Sequence, residues 1–587
     1  MKTKVLMVYP KFPSTYWSFK HSMKFIGKKS AFPPLGLMTI AAMLPDNFEV
    51  KLIDMNINKL EEEDILNADL VFLSAMIIQK KSFAKAAALA KSLGRTVVAG
   101  GPYPTSSQKL IENVDHFILD EGEITLKEFL EDYKNGNTKK IYTSDIKPDI
   151  STTPIPRFDL INVNDYSNML LQFSRGCPFN CEFCDIIEMF GRITRTKTSP
   201  QFIKELDAVY DSGFRGSLFI VDDNFIGNKK KVKELLSDII EWQKEKKFPF
   251  SFFTEASINC ADDDELLSLL QSAGFDMLFV GIETPDAAGL ALAQKGQNLK
   301  LDMIQSIKKI QRHGMEVTGG FIVGFDTDDE TIFDRQFDFI QTAGIPTAMM
   351  GMLLALPNTQ LYRRLQKENR LLSASSGNNT HDIKLNFIPV MNEKKLIEGY
   401  KNMITKLYSP KNYFKRAYSL IKELPQKKVS YRNIQYDDLK SLIKSLFKQG
   451  FSKYSLTYFK FLFKTLLKRP RLFPEAIAMS IKGYHFFKIT KDIIKADEFN
   501  ALLSETKEKF NREFLKVMKG KGLQAVFDAE AAYASIKASV MNKYSHLAVE
   551  VKQHVKDGLA DFDNYCENRI AELKKELHIY DTLDIFA

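Results

Sequence analysis

Cysteine is scarce in this chain, five in 587 residues, which excludes a small secreted fold stapled by disulfides. Tryptophan occurs only twice. No uncharged apolar run reaches the ~18 residues that span a bilayer. No internal repeat or low-complexity tract is visible. No secretory signal opens the sequence: Met1-Lys-Thr-Lys-Val-Leu-Met-Val-Tyr9 passes straight into a strand-like run, so the expected compartment is the reducing cytoplasm. What is there is ordinary in bulk: 44% apolar and 26% charged residues describe a globular protein, and the length implies several domains.

Three of the five cysteines fall within eight residues, Cys177-Pro-Phe-Asn-Cys181-Glu-Phe-Cys184. Thiolates hold iron–sulfur clusters. Three on one loop can bind three irons of a [4Fe–4S] cube and leave the fourth open to a small molecule. Three unrelated buried thiols would be the bland alternative, and so cysteine-poor a chain argues against it. A zinc site normally shows a fourth ligand, often as paired C-x2-C units, and no histidine or cysteine follows nearby. Cys260 and Cys566 stand alone and are expected to be inert.

Residues 1–145 alternate strand and helix patterns. Val/Ile/Leu-rich runs at 4–10, 49–57, 70–76, 96–102 and 116–123 predict a doubly wound, Rossmann-like (flavodoxin-like) sheet covered on both faces. Its ligand-binding strand ends carry Asp54-Met-Asn56, Ser74-Ala-Met76, Gly100-Gly-Pro-Tyr-Pro-Thr105 and Glu121-Gly-Glu123. Residues 146–168 hold Pro148, Pro154 and Pro156 and read as a linker. Residues 169–375 repeat the strand–helix alternation. Strand candidates at 169–174, 217–222, 250–256, 277–283, 317–325 and 347–356 predict a partial (β/α)6 TIM-type barrel, with its site at the carboxyl ends. Polar groups recur there in register: the cysteine loop, Asp222-Asp223-Asn224, Glu255, Glu283, Gly324-Phe-Asp326 and Pro357-Asn-Thr359. One alone would be a cap or turn; their repetition points to a site. Residues 376–495, which are basic, and 496–587, a tail, are expected to be helical.

The spacing of the cysteines, with Phe183 at the aromatic position, resembles the C-x3-C-x-aromatic-C signature of radical S-adenosylmethionine (SAM) enzymes. A Rossmann-like domain ahead of the barrel, with Phe32-Pro-Pro-Leu-Gly-Leu37 and Gly100-Gly-Pro102, is similar to the cobalamin-binding class of that superfamily. Trp17-Ser-Phe-Lys20, Asp222-Asp-Asn-Phe-Ile-Gly-Asn228, Thr254-Glu-Ala-Ser-Ile-Asn259 and Gly320-Phe-Ile-Val-Gly-Phe-Asp326 resemble the branch that includes the hopanoid C-2 methyltransferases. So do Gly377-Asn-Asn379, Asn386-Phe387 and Tyr408-Ser-Pro410. The tail beyond residue 490 matches nothing in that branch.

This resemblance implies a [4Fe–4S] cluster on Cys177, Cys181 and Cys184. It also implies SAM contacts from Asp223, Asn224, Glu255, Glu283 and Lys295, and cobalamin along Ser74, Gly100, Gly101 and Thr105. The implied reaction is methylation of an unactivated carbon. One SAM methylates cobalamin, and a second, on the cluster, yields the radical that removes hydrogen from the substrate. A reductant such as flavodoxin or ferredoxin would supply electrons. One departure is plain: the cobalt-binding Asp-x-His-x-x-Gly motif of mutases is missing, and Asp54-Met-Asn56-Ile-Asn58 stands near that stretch. Cobalamin is therefore expected without a histidine ligand to cobalt. His21 and His116 are expected to be structural.

The net charge of +9 is uneven. Residues 401–495 carry 22 Lys and Arg against five Asp and Glu, a local balance of +17 that leaves the remainder net negative. Within this block, residues 451–468 mix aromatics, leucines and lysines. They fit a packed helix with snorkelling lysines, an anionic membrane surface, or single-stranded nucleic acid. No recognisable RNA-binding module accompanies them, so nucleic acid is not expected as a partner. The expectation is a peripheral membrane surface, with Tyr458, Phe459, Phe461 and Phe463 at the headgroup boundary and an isoprenoid- or hopanoid-like lipid as substrate. Two alternatives stay open: a radical SAM lipid enzyme that forms or rearranges C–C bonds without methyl transfer, and an iron–sulfur redox sensor. The acids at successive strand ends disfavour the sensor.

Overall fold

The computed structural model describes residues 2–373, 375, 377, 383, 385–426, 436–518 and 523–576. Asn378 and Asn379 of the quoted C-terminal motif lie outside them. The chain divides into two compact units, Met1–Phe486 and Phe487–Ala587.

The first unit opens with a parallel sheet of β1 (Thr3–Tyr9), β2 (Phe48–Asp54), β3 (Leu70–Ser74), β4 (Thr96–Gly100), β5 (His116–Ile118) and β6 (Ile141–Tyr142). The strands lie in the order β2-β1-β3-β4-β5-β6, the flavodoxin-like arrangement extended by β6, which the sequence pattern does not reveal. Alternation divides one apolar run between two cores. Leu6 and Val8 join Val71, Leu73, Phe83 and Val97 on one face. Val5 and Met7 join Leu37, Phe72, Val98 and Phe129 on the other. Each such side chain fully buried contributes ~1.5–3 kcal/mol.

Residues 146–168 hold no long element, as their prolines require. They make three short turns, Ile150–Thr152, Phe158–Leu160 and Val163–Asp165. These bury Ile150, Phe158, Val163 and Tyr166.

The second sheet is built from β7 (Asn168–Leu171), β10 (Gly216–Ile220), β11 (Phe250–Glu255), β12 (Phe275–Glu283), β13 (Glu316–Val323) and β14 (Ala348–Met352). It is also parallel, in the order β14-β13-β12-β11-β10-β7. Six strands form the open half-barrel that the alternation predicts. Helices cover its outside. Lys229–Glu245, for example, buries Val232, Leu235, Leu236 and Ile239, the i, i+3, i+4, i+7 stripe of a core-facing helix. Between β7 and β10 the chain makes an unanticipated antiparallel clasp of two-residue strands, β8 (Ser174–Arg175) and β9 (Arg195–Thr196).

Helices then dominate: Glu393–Leu407, Pro410–Glu423, Tyr436–Gly450, Ser455–Lys468, Phe473–Val517, Leu523–Ser545 and Val549–Glu576. The second unit has its own core, including Phe499, Phe510, Phe514, Ile536 and Phe562. One expectation is corrected. Tyr458 and Phe461 do not reach a surface; both are buried. The Tyr458 hydroxyl lies 3.0 Å from Ser445 Oγ, and Phe461 packs on Phe414 with ring centroids 5.1 Å apart. Helical periodicity puts them on the face opposite Phe459 and Phe463, which are exposed.

Candidate active site

The clasp β8–β9 presents the cysteine loop. Gly176 starts it at φ +91°, and a Cβ there would stand 2.8 Å from Ile193 O and 3.0 Å from Gly191 O, so only glycine fits. Its N–H donates to Asp223 Oδ2 at 3.0 Å. The Cys177 N–H donates to Gly191 O at 3.3 Å, and the Cys184 N–H to Cys181 O at 3.1 Å. Side-chain amides approach the sulfurs: Asn224 Nδ2 lies 3.8 Å from Cys177 Sγ, and Gln297 Nε2 lies 3.9 Å from Cys181 Sγ. Asn180, Gln294 and Gln360 join the loop to the helices beyond it by hydrogen bonds of 2.6–3.1 Å.

The three thiols are half-buried. Burial raises the pKa of each, and charge on Cys181 and Cys177 further opposes ionisation of Cys184. Three buried thiolates on one loop need a metal to compensate them. Among the described residues, no three His, Cys, Asp or Glu side chains converge on one metal ion. Thiolates that each hold a different iron of a cube need not converge on one. The donor set and the amides aimed at sulfur fit a [4Fe–4S] cluster.

Acids stand at the next strand ends, in unlike surroundings. Asp222 is buried and belongs to the scaffold: it accepts from the Phe173 N–H at 2.7 Å and from Ser174 Oγ at 2.6 Å. Burial pushes its neighbour Asp223 up to about 6. The Glu255 side chain makes no hydrogen bond or ion pair among the described residues. Burial, then the charges of Asp223 and Glu283, push it up to about 8.

Glu283 forms a buried ion pair with Lys295. Burial pushes the Lys295 ammonium down, but Glu283 and Cys181 more than restore it, leaving it above its ordinary value. Glu283 sits at φ +64°, where the register of β12 against β13 shifts. That conformation is strained for a non-glycine residue. Gly281 gives the pair room: a Cβ there would lie 2.5 Å from both Glu283 Oε1 and Lys295 Nζ. Asn298 Nδ2 fastens the strand end through Gly281 O and Ile282 O, both at 3.1 Å. One unpartnered acid, one acid shared with an ammonium and one acid beside the cluster loop suit a ligand that presents an ammonium, a carboxylate and hydroxyls. This donor set fits SAM.

On the first sheet, Ser74 and Gly100 are paired residues at the ends of β3 and β4. Gly101 has φ +90°, and a Cβ there would lie 2.4 Å from Ser74 Oγ. The first demand on this glycine is therefore close packing of the chain on itself. The Asp120 N–H donates to Thr105 Oγ1 at 3.0 Å. Ser74 and Gly100 stand at the carboxyl ends of β3 and β4, where doubly wound sheets bind the tails of dinucleotide-like ligands.

Asp54 accepts from the Tyr166 hydroxyl at 3.0 Å and from Asn56 Nδ2 at 2.6 Å. The two N-terminal histidines face elsewhere. His21 packs on His485, and His116 Nδ1 lies 2.6 Å from Lys139 O.

Sequence reasoning missed the link between the two sheets. Arg175 Nη1 donates to Glu121 Oε2 at 2.8 Å, and Nη2 to Glu123 Oε1 at 2.9 Å. Arg195 Nη2 donates to Glu121 Oε1 at 2.8 Å. The Glu121-Gly-Glu123 strand end thus ties the first sheet to the clasp that carries the cysteines. Its only sequence signals were two acids beside a glycine and an arginine two residues before Cys177. Gly324-Phe-Asp326 also proves structural. The Gly324 N–H donates to Asp328 Oδ2 at 2.7 Å, and Asp326 is paired with Arg364 and Arg370.

Comparison with known proteins bears on this geometry. A B12 binding domain matches residues 28–130, the radical SAM superfamily matches residues 171–339, and a domain of unknown function matches residues 359–498. An uncharacterized methyltransferase of Synechocystis sp. is 41% identical over 501 residues, 84% of this chain and 93% of that protein. The hopanoid C-2 methylase of Rhodopseudomonas palustris is 34% identical over 418 residues, 70% of this chain and 78% of that protein. Among solved structures, the radical SAM methyltransferase TsrM from Kitasatospora setae, with cobalamin and a [4Fe–4S] cluster bound, is similar with a TM-score of 0.56. It is 13% identical and covers 82% of this chain and 99% of that one. The cobalamin-dependent radical enzyme OxsB gives 0.55 at 15% identity, covering 91% and 84%. At such identities these two show a shared fold.

Proposed function

Because the chain belongs to the B12-binding radical SAM methyltransferase family, with a [4Fe–4S] cluster, SAM and cobalamin as its cofactors, we propose that it methylates an unactivated carbon of an apolar, isoprenoid- or hopanoid-like lipid. The observation that carries the substrate class is the layer beneath the acids. Phe253 and Phe279 share their strand faces with Glu255 and Glu283. Phe219 stacks on Phe253 with centroids 4.6 Å apart. Phe32 lies 5.7 Å from Phe219, and Trp17 lies 5.4 Å from Phe279. Rings of the second sheet, joined by Trp17 of the Tyr16–Ser18 turn and by Phe32, therefore give this layer apolar surface, which favours a substrate without charges to solvate. The 34% identity to a hopanoid methylase supports the same class.

Cluster-bound SAM supplies the hydrogen-abstracting radical and cobalamin the methyl group. Cys177, Cys181 and Cys184 would hold the cluster. Asp223, Glu255 and the Glu283–Lys295 pair would orient SAM, with Asn224 at the cluster loop. Ser74, Gly100, Gly101 and Thr105 would line the cobalamin tail. The ring layer would place the substrate and exclude water. Enzymes of this superfamily need an external reductant, and an acidic electron carrier of the flavodoxin or ferredoxin kind would serve.

The test is anaerobic incubation of the reconstituted protein with a lipid extract and SAM bearing a trideuteromethyl group. The expected result is a labelled methyl on one lipid, dependent on added cobalamin. A lipid product without the label would instead establish C–C bond formation without methyl transfer. Label only in water-soluble products would remove the lipid claim.

A further inference from the structure

One helix of the first unit is packed inside out, and the helix after it carries apolar side chains on its outer face as well as its inner one. On Tyr436–Gly450, Ser441, Ser445 and Gln449 are buried, while Leu439, Ile443, Leu446 and Phe447 are exposed. Spacings of three and four place each set on one face. The buried polar face is satisfied: Ser441 Oγ donates to Phe25 O at 3.2 Å, and Gln449 Nε2 donates to Ser445 Oγ at 2.9 Å. On Ser455–Lys468, Tyr458, Phe461, Leu462 and Thr465 face inward. Leu456, Phe459, Phe463 and Leu467 face outward. Phe451, in the turn between them, is 87% exposed, with its ring 6.3 Å from that of Phe447. Isolated exposed apolar residues need no explanation; two adjoining stripes of them do.

The charge around these stripes has one sign. Residues 439–474 contain nine Lys and Arg and no Asp or Glu. Lys440, Lys444 and Lys448, and again Lys460, Lys464 and Lys468, recur every four residues alongside. A second copy of the chain is a poor occupant, because a self-complementary contact would set these cations against each other. No described helix is long and apolar enough to cross a bilayer, so an occupant that is a membrane would be met from one side.

We propose that this face docks on an anionic lipid bilayer, with Lys453, Lys460 and Lys468 among the headgroups and Phe447, Phe451, Leu456 and Phe463 below them. The inference goes beyond the reaction and holds for any substrate.

Flotation of the full-length reconstituted protein tests it, using vesicles of phosphatidylcholine alone or mixed with phosphatidylglycerol. Binding should require phosphatidylglycerol and weaken with salt. Changing Lys453, Lys460 and Lys468 together to Gln should lower partitioning about a hundredfold. Changing Phe451, Leu456 and Phe463 together to Ser should abolish the binding that persists at high salt. All six side chains are exposed, so circular dichroism and cluster absorbance should match the parent. Methylation of a detergent-dispersed substrate should also persist in both variants, which separates this surface from the reaction. No binding to anionic vesicles, or equal binding by parent and Gln variant, overturns the proposal. So does self-association that the Ser variant abolishes in a protein that ignores lipid, because the face would then belong to a protein contact.

Discussion

Glu255 and Glu283 occupy neighbouring strand ends but meet opposite electrostatic fates. Lys295 neutralises Glu283, whereas the Glu255 carboxyl has no partner among the described residues and is pushed up to about 8 by burial and two like charges. In the unfolded chain a glutamate titrates near 4.3. The folded, ligand-free state therefore binds the proton more tightly. Its advantage from this group is complete below the unfolded value and is lost as pH rises towards 8. The expected outcome is that the ligand-free protein loses denaturant stability between about pH 5 and 8, and that Glu255→Gln reduces this slope, the remainder belonging to acids such as Asp222 and Asp223 that burial also raises. Urea titrations across that range check it; an identical slope in the variant would mean that Glu255 is already solvated. SAM binding near pH 6.5 should release a proton in the parent and not in the variant, because a bound ammonium favours the ionised acid.

At the scale of elements, the clasp β8–β9 joins chemistry to architecture. Its two-residue strands are too short for any periodic signal, and its partners Glu121 and Glu123 lie more than fifty residues away in sequence. No local pattern could reveal it. The long strands were readable because a doubly covered parallel strand must be an apolar run, and the cysteines because cluster ligands must share a loop. The helix Tyr436–Gly450 shows the limit from the other side. Leu439, Ile443 and Phe447 recur at helical spacing and form an exposed apolar stripe, but periodicity says that a stripe exists and not what covers it. The Glu283–Lys295 pairing is invisible for a similar reason: a spacing of 12 residues across a strand end and a loop carries no periodic signal.

The clasp also yields a prediction. Arg175→Ala would leave the buried Glu123 without its cation, while Glu121 keeps Arg195, a loss of ~3–5 kcal/mol. The expected outcome is a lower thermal midpoint and a cluster that bleaches faster during anaerobic dilution. Arg175→Lys should recover only part of it, since an ammonium cannot fork to both Glu121 and Glu123. An unchanged cluster lifetime in Arg175→Ala would confine the network to holding the sheets.

At the scale of the whole molecule, the cofactor sites and the lipid-facing helices all fall in the first unit, Met1–Phe486. The second unit buries Phe499, Phe510, Phe514 and Phe562 among its own residues. A unit that buries its own apolar surface can melt by itself, and a tightly bound cofactor stabilises only the unit that holds it. Calorimetry should therefore show two transitions. A cofactor present at a hundredfold over its dissociation constant adds ~2.7 kcal/mol to the folded state it binds. Removing iron with a chelator, or withholding SAM and cobalamin, should thus lower one midpoint and leave the other unmoved. Changing Phe510 to Ala, which opens a cavity at ~3–5 kcal/mol, should do the reverse and spare the cluster absorbance. A single transition that moves as one under either treatment would show that the two units unfold together.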